Sequence, residues 1–226
     1  MDQSLIGHIG LNIALLTYVV VYLPQLHHNR DKHHLVEMSL WMHMMLLLAY
    51  VLDLGYGIAS HLPWQYLTVS SAGLLSLSVQ HTQIVRLLRA EAKFKLMWSL
   101  GCIWFVIIGM MGGCFISYQS RLDPHLITIL GYAARILFSV YLIPQLYKNQ
   151  RDNAHTALHF QFIRLNMMVN TLDLISAWCL NWDWPNKLGP LITMVILLIL
   201  WPKRTTNDKH KLMPTHPRYQ PKSLLE

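Results

Sequence analysis

Residues 20–29 read VVYLPQLHHN and residues 140–149 read VYLIPQLYKN, so Pro24-Gln25-Leu26 and Asn29 return 120 positions later as Pro144-Gln145-Leu146 and Asn149. Working outward at the same spacing without a gap, Ile9 meets Ile129, Ala14 meets Ala134, Leu52-Asp53-Leu54 meets Leu172-Asp173-Leu174, and Trp64 meets Trp184. Scattered leucines coincide by chance. A Pro-Gln pair, an Asp inside an apolar run and a Trp in one register mark an internal duplication.

The chain around this repeat has the composition of a membrane protein. Of its 226 residues 54% are hydrophobic and only 13% charged, where about a quarter is usual in soluble domains. A helix needs roughly 20 apolar residues to cross the hydrocarbon layer. Seven segments meet that length, near residues 4–26, 38–59, 63–86, 96–117, 125–147, 157–180 and 186–202. The first has no basic n-region and no small-residue cleavage site, so it reads as a spanning helix and not as a signal peptide. Fourteen of the 18 Lys and Arg fall on one side of this arrangement and two on the other, with Arg135 and Arg164 inside spans. Positive loops stay in the cytoplasm, which places the N-terminus outside and the C-terminus inside. The net charge of +7 therefore flanks apolar runs and does not read as a nucleic-acid footprint. Cys102, Cys114 and Cys179 all lie within apolar stretches and suggest neither a disulfide framework nor a zinc site.

Each copy holds three helices, and a fourth helix between them restores the orientation of the second copy. Both Pro-Gln pairs then fall at the cytoplasmic end of an inward-running helix. The expected fold is an all-α membrane protein of seven helices in a 3+1+3 parallel repeat, its halves related by an axis along the membrane normal. Residues 1–90 form the first repeat, 91–120 the linker helix, 121–202 the second repeat, and 203–226 a disordered basic cytoplasmic tail. Gly109 and Gly113 on the linker helix suit close helix packing.

These paired Pro-Gln motifs, with an Asn four residues after each Gln, resemble the PQ-loop repeat proteins. That group includes the cystinosin-like lysosomal amino-acid exporters, with SWEET sugar transporters and the KDEL receptor as more distant relatives. The resemblance covers roughly residues 5–202 and implies a 3+1+3 fold and carriage of a small solute. After the motif only Ser39 fits the Ser–x–Gly–x–Ser pattern of cystinosin-like members, with His159 in the second copy, and a family Asp aligns with Asn166.

Pro24 and Pro144 remove a backbone donor and free the carbonyls of Val20 and Val140, which kinks a helix. The amides of Gln25 and Gln145 are placed to bond those freed groups in one conformation and release them in another, making the four residues candidates for a hinge or gate. Asp53 and Asp173 are carboxylates within spans, where ionisable groups face a bundle interior or a water-filled path. They are candidates for binding a proton or a cationic solute, against a plain packing role. On the sixth helix His159, Asn166, Asn170 and Asp173 form one polar stripe. The first copy offers His43, Tyr50 and Asp53, with Leu46 where Asn166 would be. Arg135, about 15 Å from the outer end of its helix, matches Asp173 in depth and is expected to pair with it, or to hold a substrate carboxylate. Arg164 is out of phase with Asp173 and reads as an entrance or headgroup residue. Trp64, Trp182, Trp184 and Trp201 read as interfacial anchors. The loop His27-His28-Asn29-Arg30-Asp31-Lys32-His33-His34 reads as solvated and pH-sensitive rather than metal-binding.

No catalytic motif is present and no cofactor is expected, so an enzyme is not the reading. The leading expectation is a secondary transporter of a small polar metabolite, an amino acid or similar zwitterion, with proton coupling open. A receptor or adaptor that binds a peptide or lipid headgroup, and a sugar uniporter, are the alternatives. The expected partners are the lipid bilayer, the solute and protons. The membrane is either a bacterial cytoplasmic membrane or a eukaryotic endomembrane.

Overall fold

The computed structural model describes residues 3–62, 64–90, 123–152, 157–182 and 184–201. The expected linker helix at 96–117, with Gly109 and Gly113, and the tail lie outside the described residues. Everything regular among the described residues is helical: α1 (Gln3–Val21), α2 (Leu23–His28), α3 (Lys32–Glu37), α4 (Leu40–Ala59), α5 (Trp64–Ala90), α6 (Pro124–Val140), α7 (Ile143–Asp152), α8 (Phe160–Cys179) and α9 (Trp184–Leu200).

The duplication is visible in these boundaries. α4 and α8 start and stop 120 residues apart, as do the starts of α5 and α9. The residue before α4 is Ser39, whose Oγ accepts from the Met42 amide; the residue before α8 is His159, whose Nδ1 accepts from the Gln161 amide. Such acceptors satisfy amides that the first helical turn leaves unpaired. The opposite ends also match. His61 and Asn181 both adopt φ 52°, and the next amides, of Leu62 and Trp182, reach back 2.9 Å to the carbonyls of Gly57 and Ala177. This is a left-handed helix stop of the Schellman type.

Pro24 and Pro144 each sit just past a break. α1 ends at Val21 and α2 resumes at Leu23; α6 ends at Val140 and α7 resumes at Ile143. The expected spans at 4–26 and 125–147 are thus rods of two segments each, interrupted where the prolines supply no donor. Gln3–His28, Leu40–Ala59 and Pro124–Asp152 are long and apolar enough to cross a membrane. The apolar part of α9, Asn186–Leu200, is shorter. α5 and α8 carry more polar residues because they turn Gln65, Ser70, Asn166, Asn170 and Asp173 toward the interior of the bundle.

Within each half the two-segment rod packs on the third helix, and the third on the second: α1 on α5 and α5 on α4, then α6 on α9 and α9 on α8. The halves join through α1 against α8 and α4 against α6. Small residues allow that approach. A Cβ on Gly7 would lie 2.6 Å from Leu180 Cγ, one on Gly10 2.8 Å from Ser176 Oγ, and one on Gly131 2.9 Å from the Tyr56 ring. The outer faces are apolar, with Leu5, Ile9, Ile13 and Leu16 of α1 and Ile129 and Ile136 of α6 all exposed. Side chains that no protein atom covers are suited to lipid tails. Trp64, Trp184 and Trp201 are exposed near helix ends.

Candidate functional site

Between the halves lies a cavity of ≈ 130 Å³. Its walls come from α1, α4, α5, α6, α8 and α9, and include Tyr18, Asp53, Arg135, Asn166, Asn170 and Asp173. The cavity extends from Gln65 and Asn186, at the starts of α5 and α9, down to Tyr22, Leu46 and Tyr141 near the breaks in the two rods. An aromatic floor closes it there. Tyr22 Oη donates to Tyr50 Oη at 2.9 Å, and the Tyr50 ring meets Phe138 edge-on at 4.8 Å. Gly73 makes room for Tyr50, since a Cβ there would lie 2.3 Å from its ring.

Asp53 and Asp173 face this one cavity from opposite halves, but their surroundings differ. Asp53 is 5% exposed and fully engaged. It accepts a short hydrogen bond from Tyr66 Oη and another, at 2.5 Å, from Ser70 Oγ, and Arg135 Nη2 stands 3.6 Å from its Oδ1. Arg135 also donates to Tyr66 Oη at 2.8 Å and lies over that ring. The expected pairing of Arg135 with Asp173 is therefore corrected: its partner is Asp53. Depth along the helix matched both carboxylates, but α6 packs on α4, which aims Arg135 at the first copy's Asp.

Asp173 accepts one hydrogen bond among the described residues, from Tyr18 Oη at 2.5 Å. Beside it Asn166 and Asn170 spend their amide nitrogens on their own helix, donating to Phe162 O at 2.9 Å and Asn166 O at 2.7 Å. That orientation leaves their side-chain carbonyls as the acceptors a solute would meet. One Arg against two Asp gives the ionised site a net charge of −1. A cation, or a proton on one carboxylate, brings it to neutrality, and neutrality matters most where the dielectric is low.

Below the floor, the two Pro-Gln glutamines are buried and cross the interface reciprocally. Gln25 Nε2 donates to Asn29 Oδ1 at 2.7 Å and to Ala157 O at 2.9 Å, while its Oε1 accepts from the His159 amide at 2.8 Å. Gln145 Nε2 donates to Asn149 Oδ1 at 2.7 Å and to Glu37 O at 3.3 Å, while its Oε1 accepts from the Ser39 amide at 2.6 Å. Each partner of Gln145 sits 120 positions from the corresponding partner of Gln25, measured in the direction the duplication requires. In this conformation the glutamine bonds therefore run across the interface. They fasten each half to the chain entering the second helix of the other. Lys148 adds to one side, donating to Val36 O at 2.9 Å and Met38 O at 3.3 Å.

Two members of the expected stripes lie elsewhere. His43 is fully buried behind the floor, its Nε2 3.2 Å from His81 Nδ1 on α5, because two helical turns nearer the Pro-Gln pairs the polar edge of α4 meets α5 and not the cavity. His159 precedes α8 and caps it at the Pro-Gln face. Trp182, expected as an interfacial anchor, lines the cavity. Arg164 is exposed over the Phe160 ring, 5.5 Å from its centroid. The residues that sequence reasoning missed are Tyr18, Tyr66 and Ser70. The duplication offered a signal: Tyr66 and Ser70 face Asn186 and Pro190 in the register, and a polar residue opposite an unlike one marks where the halves differ in chemistry.

A comparison with curated proteins finds no match. The PQ loop repeat model matches residues 8–66 and 126–186, one block in each copy and together more than half the chain. With both Pro-Gln pairs inside matched blocks and serving equivalent positions in the fold, the chain belongs to the PQ-loop repeat family.

Proposed function

We propose that the chain is a secondary membrane transporter for a small zwitterion of the amino-acid type, moved by alternating access between its two halves. The observation that carries this reading is the unequal pair of carboxylates in one interhelical cavity. Asp53 is neutralised by Arg135, while Asp173 keeps an oxygen for a ligand beside the amide oxygens of Asn166 and Asn170. An ammonium group suits that corner. The Arg135 side chain is 25% exposed, and its remaining N–H groups suit a carboxylate. A cavity of ≈ 130 Å³ limits the solute to few atoms, since roughly 150 Å³ holds benzene. A proton on Asp173 in place of the ammonium would keep the empty site neutral, which provides a route to proton coupling.

The breaks at Pro24 and Pro144 supply places for the rods to bend, and the Gln25 and Gln145 bonds hold the Pro-Gln face shut in this conformation. The charge distribution assigns that face to the cytoplasm. The test is uptake of labelled small amino acids by the full-length protein in proteoliposomes. Saturable uptake that Asp173→Asn abolishes is the expected result. Uptake unchanged in Asp173→Asn removes the proposed binding role, saturable binding without flux favours a receptor, and pH-insensitive sugar uptake favours a uniporter.

A further inference from the structure

The two glutamine latches are alike in their bonds but not in the side chains around them. At the Gln145 latch the cap of α4 is Ser39, which does not titrate, and the neighbouring cation is Lys148. At the Gln25 latch the cap of α8 is His159, and the position 120 residues before Lys148 is His28. The His28 ring lies 5.2 Å from the His159 ring and stacks on His34 at 3.7 Å, and His34 in turn meets His33 at 5.6 Å. Histidines of both halves are therefore gathered across the seam that the Gln25 latch closes.

We infer that this cluster makes closure of the Pro-Gln face sensitive to protons through the Gln25 latch alone, with the Gln145 latch indifferent to pH. Three effects act in the same direction. His159 caps α8 through an unprotonated Nδ1, which imidazolium lacks, so protonation removes the acceptor from the Gln161 amide. It also puts a positive charge at a helix N-terminus, where the macrodipole is unfavourable to cations. Finally, a charged His159 faces His28 at ring-contact distance, with His34 stacked on the far side of His28, and repulsion among them is relieved by parting the halves.

Among the described residues the other charged groups near the cluster do not cancel this. On the same segment lie His27, Arg30, Lys32 and His33, with Asp31 3.9 Å from His34 Nε2 and Glu37 3.6 Å from His33 Nδ1. Across the seam are Arg164 on α8 and, at the end of α3, Lys148, with Arg151 and Asp152 paired to each other on α7. Among the described residues these two acids meet four cations, and Arg86 and Arg89 on α5, which packs on α2, add two more before any imidazole is charged. Burial, followed by neighbouring histidines, holds His159 below the ordinary histidine value. Burial and His28 do the same for His34 against the opposing pull of Asp31 and Glu37. Groups lowered in the closed form bind protons better when the seam opens. Closure is thus complete above the ordinary value of about 6.5 and weakens as pH falls through and below it. This holds whether or not a solute is carried.

The experiment is a spin-label distance measurement across the seam, between Arg89→Cys and Gln150→Cys, in the full chain with Cys102, Cys114 and Cys179 replaced by Ala and reconstituted in nanodiscs. Between pH 7.5 and pH 5 the distance distribution is expected to move to longer values. His159→Asn keeps a capping side chain without a titrating ring, and is expected to give the pH 7.5 distribution at both pH values. The double variant His28→Gln with His34→Gln relieves the repulsion on His159, and its residual response is expected at higher pH than in the parent. A parent distribution identical at both pH values overturns the inference, as does a full response in both variants. Because no flux is read, failure of the transport proposal and failure of this one are distinguishable.

Discussion

Asp53 and Asp173 occupy the same position in two copies of one helix, yet the first is held by an arginine, a tyrosine and a serine and the second, among the described residues, by a tyrosine. The difference traces to their neighbours. Asp53 has Tyr66 and Ser70 from α5, whereas the register places Asn186 and Pro190 opposite Asp173. Across the interface Asp53 has Arg135, where the equivalent residue of α1 is Leu15; Asp173 has Tyr18, where the equivalent of α6 is Phe138. Duplication set two equal carboxylates at one cavity, and four differences on the facing helices gave them different surroundings.

The comparison is broken most directly at Asp53. Replacing it with Ala leaves the partly buried Arg135 guanidinium without its acid and the Tyr66 and Ser70 hydroxyls without their acceptor, and a loss of about 3 kcal/mol is expected, measured by denaturation of the purified protein in detergent. A change below ~1 kcal/mol would mean that Asp53 is no more structural than its twin. Asp173→Asn inverts the pattern: stability is expected to stay within ~1 kcal/mol, while solute uptake falls at least tenfold. A smaller effect comes from making the second site resemble the first. Pro190→Ser returns the hydroxyl that Ser70 supplies to Asp53, and a bond worth about 1–1.5 kcal/mol to Asp173 should weaken solute affinity about five- to tenfold, read by isothermal titration.

The least of these effects lies at the matched helix stops. His61 holds φ 52° where the second copy uses Asn181. His61→Gly should raise stability by roughly 1 kcal/mol, whereas Asn181→Gly should change it by only a few tenths. Equal responses would mean that the two stops are not strained differently.

Much of this architecture was legible because the repeat carries it. The shared boundaries of α4 and α8, the breaks at the prolines and the inward placement of Asp53 and Asp173 all follow from residues that match at 120. What a repeat does not carry is which helix of one copy faces which helix of the other. Arg135 shows this: its depth was readable, its direction was not, and it chose Asp53. The glutamines show it again, since their motif does not tell which segment of the other half they reach. Tyr18 and Tyr66 were overlooked for a different reason. A tyrosine in an apolar run reads as packing, and only the contact with a carboxylate reveals its hydroxyl as the relevant group. His43 was misplaced by helical phase, which tells which residues share an edge but not where along that edge the cavity ends.

The reciprocal glutamine bonds have a consequence for ancestry. The first half holds both a Gln25 plug and, at Glu37 O and the Ser39 amide, the socket that Gln145 fills. Two copies of that half, inserted in parallel, could therefore satisfy one another's plugs and sockets about a true dyad. The single chain has the arrangement such a homodimer would have, while joining the copies lets each side differ: one anchors a guanidinium through Asp53, the other holds Tyr18 through Asp173.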